Sequence, residues 1–284
     1  MIKVEPVGNR VSKWGEGPLW WNGELLYVDI EGHAVVRFNP ETGEEIELPV
    51  GERVGTVVPR ENGGFVFAGD NGFNFLSESG EIEHIKDPET HKKNNRFNDG
   101  KASPDGRFFA GTISLTKTQG DASLYRLDPD GETSIAFNAV TNSNGIIWSE
   151  DGKLCYYIDT PRKNILAFDY DSGTGALTME RPVVDLSHME SSPDGMTIDS
   201  DGKLWVAFCH GACVRRYCPE SGEELQIVEI PAMETTAVAF GGNDLSELYV
   251  TTGIHKTEVE EHAGKVFKVT GLGVTGVPAS AFKG

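Results

Sequence analysis

The chain has 284 residues, of which 44 are acidic and 25 are basic, giving a formal net charge of −19 at pH 7. A charge of this sign repels phosphate backbones and anionic membrane surfaces, so we expect neither nucleic acid nor membrane as a partner. No apolar run approaches the roughly 20 residues that span a bilayer, and the first residues lack the apolar core of a signal peptide. Together with four cysteines that lack metal-site or disulfide spacing, these features predict a cytoplasmic protein with reduced thiols.

A repeat runs the length of the chain, and its turns account for much of the abundant glycine, 34 residues in all. Each copy has an apolar run, a turn rich in Asp, Asn and Gly, and a second run of β-forming residues. In chain order the six copies are WWNGELLYVDI from Trp20, PRENGGFVFAG from Pro59, ASPDGRFFAGT from Ala102, WSEDGKLCYYIDT from Trp148, IDSDGKLWVAF from Ile198 and FGGNDLSELYVTT from Phe240.

The spacing of these turns indicates the fold. They recur every 41 to 50 residues, a period typical of a four-stranded propeller blade. Second turns such as NPETG from Asn39 and CPESG from Cys218 separate the later strands. The sequence therefore predicts an all-β fold, a six-bladed β-propeller with four-stranded blades around a central channel, as a single domain over residues 1–284. A strand near Ile2 to Val4 is expected to close the ring against Lys265 to Val269.

Polar residues recur at one phase of the repeat, seven or eight residues before most of the turns. They are Glu16, Thr56, Asn98, Asn144, Asp194 and Thr236. The first strand of each blade lines the channel of a propeller, so these positions should converge on its axis. Taken singly, each Asn or Asp could simply cap a turn. Four oxygen-rich side chains at one phase favour a divalent-cation site, because unpaired inward carboxylates would repel each other.

At these residues the sequence resembles the regucalcin (senescence marker protein), gluconolactonase and luciferin-regenerating enzyme family. The resemblance covers nearly the full chain, and its motifs are long and specific. The matching stretches include GEGPLW from Gly15, KNNRFNDGK from Lys93, PDGMTID from Pro193, GKLWVA from Gly202 and AFGG from Ala239.

The resemblance implies a six-bladed propeller that hydrolyses sugar lactones with one divalent cation in its channel. Carried over by motif, the metal ligands would be Glu16 of GEGP, Asn144 of SNGI and Asp194 of PDGM. The repeat phase selects the same three residues independently. The cation itself stays open among calcium, magnesium, manganese, zinc and ferrous iron, since oxygen ligands suit several of them.

The resemblance also implies substrate contacts from the RFNDG motif, through Arg96 and Asn98, with Asp99 beside them. Members of the family often carry an acidic residue in the loop after AGT, where it contacts sugar hydroxyls. Here the segment reads ISLTKTQGD, and Thr116 stands in that place. We therefore expect Thr116 to contact the substrate and to alter the sugar preference.

The chemistry of lactone opening suits this set of residues. A lactone is an ester, so its hydrolysis needs an electrophile on the carbonyl oxygen and an activated water, and a cation supplies both. Asp194 could act as ligand and proton acceptor, with Asp99 as the alternative base. The Arg96 guanidinium could bind a hydroxyl or stabilise oxyanion charge.

Two alternatives stay open from the sequence. A phosphotriester or aryl-ester hydrolase could use the same scaffold, because a cation polarises P=O as readily as C=O. A calcium-binding propeller without catalytic activity is the other alternative, although it leaves the converging acidic residues without a chemical role. The expected partner is a small lactone, and the expected assembly is a monomer or a weak homo-oligomer.

Overall fold

The structure is a computed structural model that describes residues 1–255 and 259–284. The described chain forms six antiparallel four-stranded sheets, so the predicted all-β, six-bladed propeller is confirmed. Turn residues close the hairpins as the sequence suggests. Gly152, at a φ of +67°, lies in the turn of one hairpin, where the Ser149 amide donates to the Leu154 carbonyl at 3.0 Å, and glycine takes this left-handed conformation at little cost.

The strands follow in chain order, blade by blade. The first strand is β1 (Lys3–Val7), and blades one and two contain β2 (Gly15–Trp21), β3 (Glu24–Asp29), β4 (Ala34–Phe38), β5 (Glu45–Pro49), β6 (Val54–Pro59), β7 (Phe65–Gly69), β8 (Gly72–Leu76) and β9 (Ile82–Lys86). Blades three and four contain β10 (Asn95–Ala102), β11 (Phe108–Ser114), β12 (Ala122–Leu127), β13 (Thr133–Val140), β14 (Ser143–Trp148), β15 (Leu154–Asp159), β16 (Asn164–Asp171) and β17 (Ala176–Asp185). Blades five and six contain β18 (Ser192–Ile198), β19 (Leu204–Cys209), β20 (Cys213–Tyr217), β21 (Glu224–Glu229), β22 (Thr235–Gly241), β23 (Glu247–Thr252) and β24 (Val266–Thr270).

The first strand of the chain closes the ring. β1 pairs antiparallel with β24, from Lys3 opposite Thr270 to Val7 opposite Val266, and so supplies the fourth strand of blade six. The closure predicted from the sequence is therefore confirmed, with the strands extending a few residues further. Joining the two ends of the chain in one sheet holds the ring shut by backbone hydrogen bonds.

The first strands of the blades surround the central channel. Each of β2, β6, β10, β14, β18 and β22 contacts the first strands of both neighbouring blades. The apolar core lies between the blades, where large side chains such as Trp205, Tyr157 and Phe208 are fully buried. The C-terminal segment crosses one end of the channel, and Phe282 is buried there with its amide bonded to the Pro59 carbonyl at 2.8 Å. The candidate site lies at the other end, which we call the channel mouth.

Helical structure is almost absent from the described residues. It amounts to one 3-10 turn, Thr160–Arg162, which follows β15 at the channel mouth. No helix in this part of the chain has the length and apolar character needed to cross a membrane.

Candidate active site

A β-bulge interrupts the first strand of every blade at the polar residue of the repeat. The pairing of these strands shifts between Glu16 and Leu19, Val54 and Thr56, Phe97 and Gly100, Ser143 and Ile146, Pro193 and Met196, and Thr235 and Ala237. A bulge leaves residues unpaired in the ladder and redirects their side chains. The bulges therefore explain how these polar side chains leave the pleat and turn toward the channel. All six repeat-phase residues are buried.

Glycines beside the bulges allow the first strands to approach closely. A Cβ atom on Gly195 would lie 2.3 Å from the Cβ of Ala237, and one on Gly145 would lie 2.8 Å from the Asp194 carbonyl oxygen. These positions accept only glycine without movement of the backbone or a neighbouring side chain. The Asn-Gly and Asp-Gly pairs are therefore needed to bring the site residues of adjacent blades together.

Three carboxylates meet at the channel mouth and are almost fully buried. The exposed fractions are 3% for Glu16, 2% for Asp99 and 7% for Asp194. Burial, reinforced by Asp99 and Glu234, raises the pKa of Asp194 to about 8. Burial and the neighbouring Asp194 and Asp99 likewise raise the pKa of Glu16 well above its usual value. Burial therefore disfavours the ionised form of these carboxylates unless a proton or a cation compensates their charge.

Each carboxylate accepts a hydrogen bond from a neighbouring group. The Gly17 amide donates to Glu16 Oε2 at 2.7 Å, and the Gly100 amide donates to Asp99 Oδ1 at 2.7 Å. The Cys209 thiol donates to Asp194 Oδ2 at 2.8 Å. Within the described chain, Asp99 Oδ2 is buried without a hydrogen-bond partner. Such an orphaned oxygen is costly unless a ligand engages it.

A chain of hydrogen bonds joins the remaining predicted residues across three blades. Arg96 Nη1 donates to Asn98 Oδ1 at 2.9 Å, and Asn98 Nδ2 donates to Asn144 Oδ1 at 2.9 Å. Asn144 Nδ2 in turn donates to Thr160 Oγ1 at 2.7 Å, whose hydroxyl donates to the Pro193 carbonyl at 2.8 Å. These bonds fix both amide groups, so that the Asn144 oxygen has a defined direction.

The donor set fits a divalent cation. Glu16 and Asp194 offer carboxylates, and the charge of Asp194 raises the pKa of Glu16. Asn144 offers an amide oxygen. The unpartnered Asp99 Oδ2 adds a further oxygen. Oxygen donors of this kind are those that hard cations prefer, and a bound cation would offset the repulsion between the buried carboxylates.

Thr116 lies apart from this cluster. It is exposed in the loop between β11 and β12, and its hydroxyl bonds with those of Ser114 at 3.1 Å and Thr118 at 2.9 Å. Its role in substrate recognition stays a prediction, and any contact with a substrate would be made from this loop.

The sequence profile of the SMP-30/gluconolactonase/LRE-like region matches residues 14–254. The chain belongs to this family. Regucalcin from Danio rerio is 42% identical over 292 residues, covering 100% of this chain and 99% of its own, and human regucalcin is 39% identical with the same coverage. A solved structure of a luciferin-regenerating enzyme superposes with a TM-score of 0.93 at 32% identity, covering 100% of both chains. The resemblance stated from the sequence motifs is thus confirmed.

In this member of the SMP-30/gluconolactonase/LRE family, two site residues escape sequence analysis. Cys209 holds Asp194 and Thr160 holds Asn144, yet neither lies at the polar phase of the repeat. The signal that could locate them is hairpin register. The second strand of a blade ends opposite the start of the first, as Cys209 opposite Ser192 and Asp159 opposite Ser143, so its last residues also reach the channel mouth.

Proposed function

We propose that this protein is a metal-dependent hydrolase that opens sugar lactones at the channel mouth. The observation that carries the proposal is the group of three buried carboxylates, one of which, Asp99, has an unpartnered oxygen. The name of the family, which includes gluconolactonases, agrees with a lactone substrate. The net charge of −19 favours a neutral or cationic substrate over a phosphorylated one.

Glu16, Asn144 and Asp194 would hold one divalent cation. When bound, such a cation supplies Lewis acidity toward a carbonyl oxygen and acidifies water. The all-oxygen donor set favours calcium, magnesium or manganese, while zinc and ferrous iron are the other candidates. The Cys209 thiol supports the set by holding Asp194 Oδ2.

Asp99 is the better placed of the two candidate bases. Its Oδ1 is held by the Gly100 amide, whereas its Oδ2 is free to accept a proton. Burial raises the pKa of Asp99, which brings this carboxylate closer to the range in which a general base works at neutral pH. In the proposed reaction, Asp99 Oδ2 takes a proton from the water whose oxygen attacks the carbonyl carbon. The same proton then passes to the ring oxygen as the C–O bond breaks.

Arg96 and Asn98 would bind and orient the lactone. Arg96 Nε is buried without a partner in the described chain, while its Nη1 is held by the Phe97 carbonyl and by Asn98. A guanidinium fixed on one side and free on the other can donate to a substrate hydroxyl or to developing negative charge. Thr116, from its exposed loop, would contact only the distal hydroxyls.

A substrate panel tests this proposal. Purified protein is given gluconolactone, an aryl ester and a fluorophosphate, and each rate is corrected for spontaneous hydrolysis. We expect the highest kcat/KM for gluconolactone, and a fall of about a hundredfold or more in Asp99→Asn. Asp151→Asn, the same change in an exposed hairpin turn, is the matched control and should retain the full rate. Faster fluorophosphate hydrolysis would favour the phosphotriesterase alternative, and no turnover of any substrate would contradict an enzymatic role.

A further inference from the structure

A second group of metal-binding side chains lies at the rim of the channel mouth, between blades five and six. His210 directly follows β19, Glu234 directly precedes β22, and His255 follows β23. Two blades therefore contribute to the group. It lies outside the oxygen-rich set formed by Glu16, Asn144 and Asp194.

The spacing of the three side chains suits coordination of a single ion. Glu234 Oε1 lies 3.0 Å from His210 Nδ1 and 3.6 Å from His255 Nε2. The ligand atoms all lie within 4.8 Å of one another. Ligand atoms around a tetrahedral zinc ion, with bonds of about 2.0–2.1 Å, stand about 3.3 Å apart. The two distances from Glu234 Oε1 lie within about 0.3 Å of this value, and the two imidazole nitrogens lie within 4.8 Å of each other.

The backbone holds the buried carboxylate and one imidazole in place. The Glu234 side chain is only 2% exposed, and its Oε2 accepts a hydrogen bond of 3.3 Å from the His210 amide. Cys209 and Glu234 form an isolated β-bridge, and the Gly253 amide donates to the Glu234 carbonyl at 2.9 Å. His210 has a φ of +59°, a left-handed conformation that turns its ring toward Glu234 from the end of β19.

We propose that His210, Glu234 and His255 form a second metal site that binds a divalent transition ion of the Zn²⁺ class. Two imidazole nitrogens and one carboxylate favour zinc and similar ions over calcium or magnesium, which prefer oxygen ligands. The donor chemistry of this group therefore differs from that of the all-oxygen set in the channel. Three protein ligands leave at least one position for water or another small ligand, and the His210 side chain, 59% exposed, opens that side to solvent.

The second site also has a direct connection to the channel. Cys209 donates its thiol proton to Asp194 Oδ2, and the next residue along the chain is His210. An ion at the rim would fix this segment and join the ends of β19 and β22. Binding to the native state alone raises its stability by mass action, so Zn²⁺ should increase the melting temperature through this site even when the channel site is disabled.

The test uses the full chain with Asp194→Asn, which removes a charged ligand from the channel site. Zn²⁺ binding is measured by equilibrium dialysis and by the shift in melting temperature. The His210→Ala/His255→Ala pair is compared with His91→Ala/His188→Ala, which changes two exposed histidines elsewhere. Circular dichroism checks that each variant folds.

We expect the parent and the His91/His188 control to bind one equivalent of Zn²⁺, with no displacement by excess Ca²⁺. The His210/His255 variant should lose at least tenfold in affinity and show no Zn²⁺-dependent rise in melting temperature. Glu234→Gln, which keeps the shape of the side chain, should also weaken binding at least tenfold. Equal Zn²⁺ affinity in the His210/His255 variant and the control would overturn the proposal, whatever the outcome of the lactone assays.

Discussion

Replacing Asp194 by asparagine should make the metal-free protein more stable while removing its activity. Burial raises the pKa of Asp194 from 3.8 to about 8, so the folded protein holds a proton that the unfolded chain releases above pH 4. The folded state therefore binds more protons than the unfolded state between pH 4 and 8, and its stability falls as pH rises through that window. An asparagine does not ionise, so its burial causes no such loss of stability at high pH.

The size of the effect follows from the shift in pKa. At about 1.36 kcal/mol per pKa unit, a rise from 3.8 to about 8 sets a ceiling of about 6 kcal/mol at pH 8, and of under about 2 kcal/mol at pH 5. Proteins relax around a buried charge, so we expect about half of each value. The Asn side chain keeps an oxygen that can accept the Cys209 hydrogen bond.

Urea denaturation of chelator-treated protein measures the difference at both pH values. The free energy of unfolding of Asp194→Asn should exceed that of the wild type by about 3 kcal/mol at pH 8 and by about 1 kcal/mol or less at pH 5. With a cation at a hundredfold excess over its Kd, the wild type should gain about 2.7 kcal/mol and the variant much less. Equal stabilities at pH 8, or a difference that does not depend on pH, would show that burial of the Asp194 carboxylate does not destabilise the metal-free protein.

Three further changes test individual parts of the site. Asn144→Ala should lower lactone turnover more than tenfold and leave the circular dichroism spectrum unchanged; a variant that keeps over a tenth of the wild-type rate would remove Asn144 from the proposed ligand set. Cys209→Ala should weaken metal binding at the channel site more than Cys209→Ser does, because serine keeps a donor for Asp194, and identical affinities would show that the donor has no effect. Thr116→Glu should raise kcat/KM for gluconolactone relative to a simple γ-lactone by about tenfold or more, since a charge-assisted hydrogen bond contributes about 1.5–3 kcal/mol. An unchanged ratio would show that the loop does not set specificity.

The repeat made most of the fold predictable. Each copy of the repeat supplies the same turn and the same pattern of apolar residues, so six copies predict six blades. The position of the polar residue within each copy predicts which side chains enter the channel. The bulges explain why residues at this position of the repeat turn toward the channel, because a bulge occurs there in every first strand. Asp99, which follows the polar phase by one residue, shares the bulge with Asn98.

Contacts that depend on pairing between strands were not predictable from the repeat. Cys209 reaches Asp194 because β19 pairs with β18 in a particular register, and nothing in its local sequence indicates a polar partner. His210, Glu234 and His255 meet only because two blades lie side by side, and they are far apart along the chain. The position of Thr116 depends on the path of an exposed loop, for which a repeat pattern gives no constraint.

The most direct test of the proposed chemistry is lactone hydrolysis before and after metal removal. Protein is stripped with a chelator, metal loss is verified by elemental analysis, and gluconolactone turnover is measured above the spontaneous rate. We expect turnover to fall about a hundredfold or more, and to return when a divalent cation is restored to the wild type but not to Glu16→Gln. Full turnover by protein verified to be metal-free would show that lactone hydrolysis does not depend on a metal ion.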